Sequence, residues 1–457
     1  MKTLYRYIIF SIIFLSVYSC RDYVEIDPVG NNRTLQYTSD YRYLANNAST
    51  NFTGPLGMFL VSDPDVRITD GEESKFTSTW GKLYTWQQPI YEDDSQDSDW
   101  TNLYKAVYYS NVIIDGVMDS ENGTDDEKKE IQAEAYVHRA YSYLQLVNMY
   151  GPQYDPNGDN SSSAVPLLLT PDLYSSLARS SVAEVYQQIL SDLNAALENN
   201  IQETPSYNIL PSKTAVYALL ARTYLYMGDY ENALENATLA LQLQSDLIDL
   251  NTFTKIGNQP KAIANPEIIL GKKISGNSYM FAPLDSDLVN SYSEQDLRSK
   301  YYIAAASSIY KSYSGKTYVV PYYDGNYSKM EIGPSVPEMY LIAAECYARL
   351  SNTTEALNAL NTLRAARFQS NSEFKLTTAD ITSDTSLLDL VLEERRKELV
   401  GRGFHWFDVR RLNLDSNYQK TYTRTYSGQE YTLTPNSDSY TFPIYQDYID
   451  LNPELGE

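Results

Sequence analysis

Small and large apolar residues recur along this chain at helical spacing, and one such pattern is written twice. Around Tyr217 it runs Tyr217, Ala221 and Tyr224, then Gly228-Asp229-Tyr230, then Ala233, Ala237 and Ala240. The same ruler returns 123 positions later, counted from Tyr217 to Tyr340, as Tyr340, Ala344, Tyr347, Ala356, Leu360 and Leu363. Residues four and three apart share one helical face, and the small members let two helices approach closely. The spacing is that of a tetratricopeptide helix–turn–helix unit. A further half-copy sits at Tyr136, Ala140 and Tyr143, its second half delayed to Ile189, Leu193 and Ala196. Such units bury one another and present a surface, which points to binding before chemistry.

The pattern elsewhere fills in the frame. Residues 41–99 are polar and lack sustained helical periodicity. Trp100, Tyr104 and Val107 open a helix that ends near Gly116. Thr124-x-x-Glu127 is a capping box for a helix running to Met149, stopped by Gly151-Pro152. A loop over 151–180 precedes a second box, Ser181-x-x-Glu184. The best-formed repeat spans 212–244, and helices return at 337–350, 353–368 and 386–400 before a Tyr- and Pro-rich tail. The expected fold is mostly α, a tetratricopeptide-like α-α superhelical scaffold over about 100–245 and 337–411. Large irregular loop insertions with a few short strands occupy 41–99, 151–180 and 245–336, all within a single domain at 41–457.

With 457 residues and 43% hydrophobic content, the chain can build a substantial core. Its formal charge of −23 argues against nucleic acid as a partner, since phosphate recognition needs basic stripes. Lys2 and Arg6 precede an apolar run from Tyr7 to Val17, too short to span a bilayer, that ends at Ser19-Cys20. Residues 1–19 therefore read as a signal peptide and 20–40 as a tether whose Cys20 is lipidated, acyl chains such as palmitate holding it on a membrane. Cys346 then has no intramolecular partner and reads as a small buried hydrophobe.

Three blocks carry a family resemblance. Glu134-Ala-Tyr-Val-His-Arg-Ala-Tyr-Ser-Tyr-Leu-Gln-Leu-Val-Asn-Met-Tyr-Gly151 is followed by Ser180-Ser-Val-Ala-Glu-Val-Tyr186. Glu394-Arg-Arg-Lys-Glu-Leu-Val-Gly-Arg-Gly-Phe-His-Trp-Phe-Asp-Val-Arg-Arg411 is the second, and the ending from Phe442 to Pro453 is the third. Together they resemble the SusD/RagB family, with departures from its usual pattern at Gly401 and Arg402. The resemblance implies a surface lipoprotein of the Bacteroidota outer membrane, capturing nutrient and delivering it to a TonB-dependent, SusC-like outer-membrane transporter. The nutrient is typically a glycan; whether it is a glycan or a peptide stays open. Arg21-Asp22 and Glu25 resemble the family's export signal. Readings of other classes are a secreted helical enzyme acting on polysaccharide and an adaptor that binds only protein.

Candidate chemistry is sparse. The 393–411 block concentrates carboxylates, Arg and His405, but Glu393 and Lys397 are an i,i+4 pair on a helix whose expected buried stripe is Leu388, Leu392 and Leu399. It reads as a structural ion-pair cluster. Two histidines, His138 and His405, give neither zinc spacing nor a catalytic triad. No catalytic residue, metal or cofactor is expected. Asp63, Asp65, Asp70 and Glu72 could offer oxygen ligands to Ca²⁺ but lack a calcium loop's spacing, so solvated acids are the expectation. Aromatics are the better clue, because sugar C–H faces stack on rings while hydroxyls bond polar groups. Trp80, Tyr84 and Trp86 share a polar loop with Gln87 and Gln88; Tyr310, Tyr313 and Tyr318, with Tyr279 and Phe281, form a second reservoir. These are the candidate ligand contacts.

The leader generates one expected outcome. Cys20→Ala abolishes acylation and moves the protein out of the membrane fraction; labelled fatty acid on the variant would overturn the lipoprotein reading.

Overall fold

Most scaffold helices begin where a first-turn N–H group finds a side-chain acceptor. The computed structural model describes residues 35–456 apart from 77, 92–95, 259, 275–282, 310 and 321–330. The leader, Cys20, Tyr279, Phe281 and Tyr310 lie outside the described residues. Helix α1 spans Thr38–Asn46, α2 Ser98–Gly116 and α3 Asp125–Tyr150. Both expected capping boxes form: Thr124 with Glu127 opens α3, and Ser181 with Glu184 opens α4, Val182–Glu198. Helix α5, Lys213–Met227, stops at Gly228 with φ +76°, a left-handed turn that glycine adopts without strain. Asp229 then caps α6, Tyr230–Leu243. Helices α7 (Val336–Arg349), α8 (Thr353–Arg367), α9 (Leu387–Glu398) and α10 (Phe404–Leu412) complete the scaffold.

The helices stack in chain order, each on the next from α2 to α8, with α9 also against α7. Helix α6 packs directly on α7 although the 244–335 insertion separates them in sequence. Ala221, Ala233, Ala237, Ala240, Ala344 and Ala356 are fully buried at these crossings, as the repeated ruler requires. Within the insertion, β1 (Ala304–Ala305) pairs antiparallel with β2 (Tyr318–Val319). In the tail, β3 (Tyr422–Tyr426) and β4 (Gln429–Leu433) form a hairpin around Ser427-Gly428, both at positive φ.

Three features differ from expectation. The ordered domain starts before position 41, because Asp40 accepts the Gln36 and Tyr37 N–H groups and α1 packs on α3, burying Thr38 and Asp40. The polar 41–99 stretch also holds short helices at Met58–Ser62 and Thr79–Tyr84. And the expected leucine stripe of α9 is buried only at Leu399, just past its last residue. Leu388 and Leu392 are only half-buried, while Val391, Glu394, Arg395 and Glu398, at helical spacing, point inward.

Charge pairing makes that inward face possible. Arg298, fully buried, bonds Asp296, Glu394 at 2.6 Å and Glu398 at 3.0 Å. Arg367 donates to both Glu398 oxygens, to Glu267 at 2.6 Å and to the Ile248 carbonyl. Arg395 bonds Asp408, which Arg411 shares while also gripping Glu345. On α5, Arg222 pairs with Glu338 of α7 in a bidentate contact. The expected ion-pair cluster is present, and it reaches well beyond 393–411 into the insertion.

A second staple ties the N-terminal loop to α9 and α10. Gly403, at φ +74°, turns the chain where a Cβ would meet the Phe59 ring at 2.2 Å. His405 Nδ1 lies 2.7 Å from Asp63 and 3.2 Å from Asp65, and Arg396 Nε donates to both Asp65 oxygens. Burial alone would lower the His405 pKa, but Asp65 and Asp63 outweigh it and hold it above its ordinary value.

Two outcomes follow from these pairings. Arg367→Met leaves buried carboxylates uncompensated and costs about 3–5 kcal/mol, read as a lower urea midpoint; a loss below about 1 kcal/mol would sink the assignment. The second concerns pH. A raised histidine pKa stabilises the fold fully below the ordinary value near 6.5, and that contribution is lost as pH rises through the folded value. The stability that the wild type holds over His405→Gln therefore shrinks as pH rises above about 6.5, so the pH slopes of their melting temperatures differ. An unchanged slope in the variant would refute this.

Candidate functional site

The short helix Thr79–Tyr84 and the start of α2 enclose a cavity of about 270 Å³. Trp80 and Tyr91 supply its aromatic wall, Leu56 and Met58 its apolar floor, and Ser78, Thr79, Gln96 and Ser98 its polar lining. Trp80 is half-buried and held edge-to-face against Phe76, with centroids 6.4 Å apart. Tyr91 packs edge-on to Tyr445 of the tail. An apolar floor, two rings and a hydroxyl- and amide-bearing lining suit a ligand with both apolar and hydroxylated faces.

Two carboxylates also border the cavity, Asp97 and Asp99, and both are committed to the fold. Asp97 caps α2 by accepting the Trp100 N–H and takes the Tyr91 and Tyr150 hydroxyls on its other oxygen. Asp99 accepts the N–H groups of Leu56, Gly57 and Met58, which head the helix Met58–Ser62. Burial, with the Asp97 charge beside it, pushes Asp99 up to about 7 against those three donors. Burial likewise raises Asp97, and burial with the Asp97 charge keeps the Tyr91 phenol protonated as a donor.

The sequence-expected contacts divide. Trp80 lines the cavity. Trp86 and Tyr84 do not belong to an exposed platform: they are 6% and 0% exposed, part of the main core. The Trp86 indole N–H donates to the Ser62 carbonyl at 2.8 Å, and its backbone carbonyl accepts from Ser439. The Arg424 guanidinium lies 4.2 Å from the Trp86 ring and 4.3 Å from Tyr84. Tyr313 is half-buried under Lys75, and Tyr318 is 37% exposed on β2. Glu72 accepts from Ser314 N and the Thr317 hydroxyl, so the 313–318 segment is fastened to the loop that leads to Trp80. Sequence reasoning missed Tyr91, Gln96 and the Asp97/Asp99 pair; Asp97, three positions before Trp100 at a helix start, was the available signal.

The acidic loop is not solvated as expected. Asp63, Asp65 and Glu72 are buried and paired within the protein, and only Asp70 faces water. Asp63, Asp65 and His405 converge closely enough to ligate one ion, but Arg396 already engages both Asp65 oxygens and brings the positive charge. Cys346 is buried and its thiol pKa raised, first by burial, so it is not a nucleophile.

Among the described residues no helix is long and apolar enough to cross a membrane. A family model described as "Starch-binding associating with outer membrane" matches residues 63–225, and one described as "SusD family" matches 336–457. The chain is 28% identical to SusD-like protein P2 of Formosa agariphila over 69% of this chain and 71% of that one. A SusD superfamily protein of Bacteroides thetaiotaomicron superposes with a TM-score of 0.74 at 23% identity, covering 92% of this chain and 98% of the other. Surface glycan-binding protein A of Bacteroides uniformis superposes with a TM-score of 0.69 at 18% identity, covering 91% and 98%. The two family models together match more than half of the chain, at its N-terminal and C-terminal parts in turn: the chain belongs to the SusD/RagB family.

Proposed function

We propose that this protein captures a glycan at the cell surface and hands it to a TonB-dependent transporter, held at the outer membrane by acyl chains on Cys20. The observation that carries the reading is the Trp80–Tyr91 cavity, whose rings and polar lining match the two faces of a sugar. The family's descriptions and the glycan-binding relative support the same class of ligand. Binding without cleavage is favoured by the committed state of Asp97 and Asp99. A glycosidase needs one carboxyl free to protonate the leaving oxygen and a second free to attack or activate water. Here the oxygens of both already hold backbone N–H or tyrosine hydroxyl donors.

The two tryptophans separate binding from stability. Trp80→Ala weakens binding of the recognised oligosaccharide about tenfold, the loss of one aromatic hot spot, with little change in melting temperature. Trp86→Ala instead costs about 3–5 kcal/mol of stability and leaves the affinity of the folded fraction near wild type. Calorimetric titration and a melting curve on each variant decide; unchanged affinity in Trp80→Ala would reject the cavity as the site.

A further inference from the structure

The charged groups that line the Trp80 cavity are all of one sign. Among the described residues the lining holds Asp97 and Asp99 and no lysine, arginine or histidine. Lys82, the one cation of the short helix Thr79–Tyr84, is not part of the lining. Tyr91, the remaining titratable group there, is kept protonated and neutral by burial and by the charge of Asp97.

Both carboxylates are held as acceptors. Asp99 takes the backbone N–H groups of Leu56, Gly57 and Met58, none of which can accept in return. Asp97 takes the Trp100 N–H on one oxygen, and the Tyr91 and Tyr150 phenols converge on the other. Burial keeps the Tyr150 phenol protonated as well, so it too is a donor. A ring of donors favours the ionised form of a carboxylate. Neither charge has a counter-ion among the described residues. Besides burial, only hydrogen-bond donors act on Asp97, and only Asp97 and the three N–H groups act on Asp99. The buried glutamates of the scaffold differ, for Glu338, Glu345, Glu394 and Glu398 each face an arginine.

The cavity wall therefore carries negative charge that no neighbouring cation offsets. Asp97 and Asp99 are only 1% and 2% exposed, but they need not touch a ligand to act on it. A buried wall of low dielectric transmits their field more strongly than water would. A neutral sugar brings no charge for that field to repel. A carboxylate or sulfate on the sugar would lose hydration on entering and meet like charge.

We propose that the Trp80 cavity selects its glycan by charge, taking neutral sugars and turning away those that bear carboxylate or sulfate groups. Trp80 and Tyr91 supply the attraction, and Asp97 and Asp99 set the specificity by repulsion from behind the wall. The inference rests on this cavity being the glycan site, and it narrows the ligand to one charge class.

An oligosaccharide array probed with the mature chain and with Trp80→Ala tests this, above the pH of about 7 to which Asp99 is raised. It carries neutral glucan, mannan and xylan fragments beside galacturonan, alginate and chondroitin sulfate fragments. Those that bind the wild type and fail with Trp80→Ala are neutral. An acidic fragment bound through Trp80 would overturn the charge selection and leave the glycan reading standing. Binding of no fragment at all would overturn the glycan reading, and the selection with it. Gln96, exposed on the cavity lining, gives the converse test. Gln96→Lys places a cation there and raises the acidic-to-neutral affinity ratio about tenfold or more, whereas Gln96→Glu does not raise it. A ratio unchanged in Gln96→Lys would refute the proposal as well.

Discussion

Glu398 is the point through which much of this molecule is tied together. It sits on the inward face of α9, 1% exposed, and accepts from Arg298 of the insertion and Arg367 of α8. Arg367 extends the tie to Glu267 and the Ile248 carbonyl, so the first part and the middle of the 244–335 insertion are drawn onto the last helices of the scaffold. Pairs of this sort add little net stability relative to an apolar core, but losing one member leaves a charge with nowhere to go. Their value here is geometric. Directional, bidentate contacts allow one arrangement of insertion on scaffold and disfavour others.

The same logic positions the candidate site. Arg424, from the tail hairpin, is stacked on Tyr84 and Trp86 and donates to the carbonyls of Val61, Asp63 and Tyr84. That contact anchors the loop after the short helix Thr79–Tyr84, in which half-buried Trp80 stands one turn before Tyr84 and shares the Phe76 ring with it. One tryptophan fixes the support and the other faces the cavity. Asp99 and Asp97 perform the equivalent service on the other wall, closing helix starts at the cavity edge.

Local spacing made the scaffold legible. Tyr217, Ala221, Ala233 and their counterparts near Tyr340 report helix contacts between near neighbours in sequence, and the capping boxes at Thr124 and Ser181 need only four residues each. What was not legible depends on partners far away. Trp86 is followed by the exposed Gln87 and Gln88, and it is buried because Arg424 and Ser439 reach it from the tail. The buried acids of the 63–72 loop have their partners at Arg396, His405 and Thr317. Helix α9 misleads for the same reason: a leucine stripe reads as the inner face until Arg298 and Arg367 are known to compensate its glutamates. Of the candidate site, Trp80 was readable as a large aromatic outside the repeats, whereas its companion Tyr91 carries no pattern of its own.

The direct packing of α6 on α7 has a consequence for how such a chain can diversify. Because the stack closes without the 244–335 segment, that segment is topologically a graft, and a relative could carry one of different length there. It is not electrically a graft. Removing it would take away Arg298, Asp296 and Glu267 together and leave Glu394 with Arg364 alone and Glu398 with Arg367 alone. A replacement keeps the network whole only by bringing its own cation and its own acids to the same places. Shape at this position is free to vary only as far as charge is conserved.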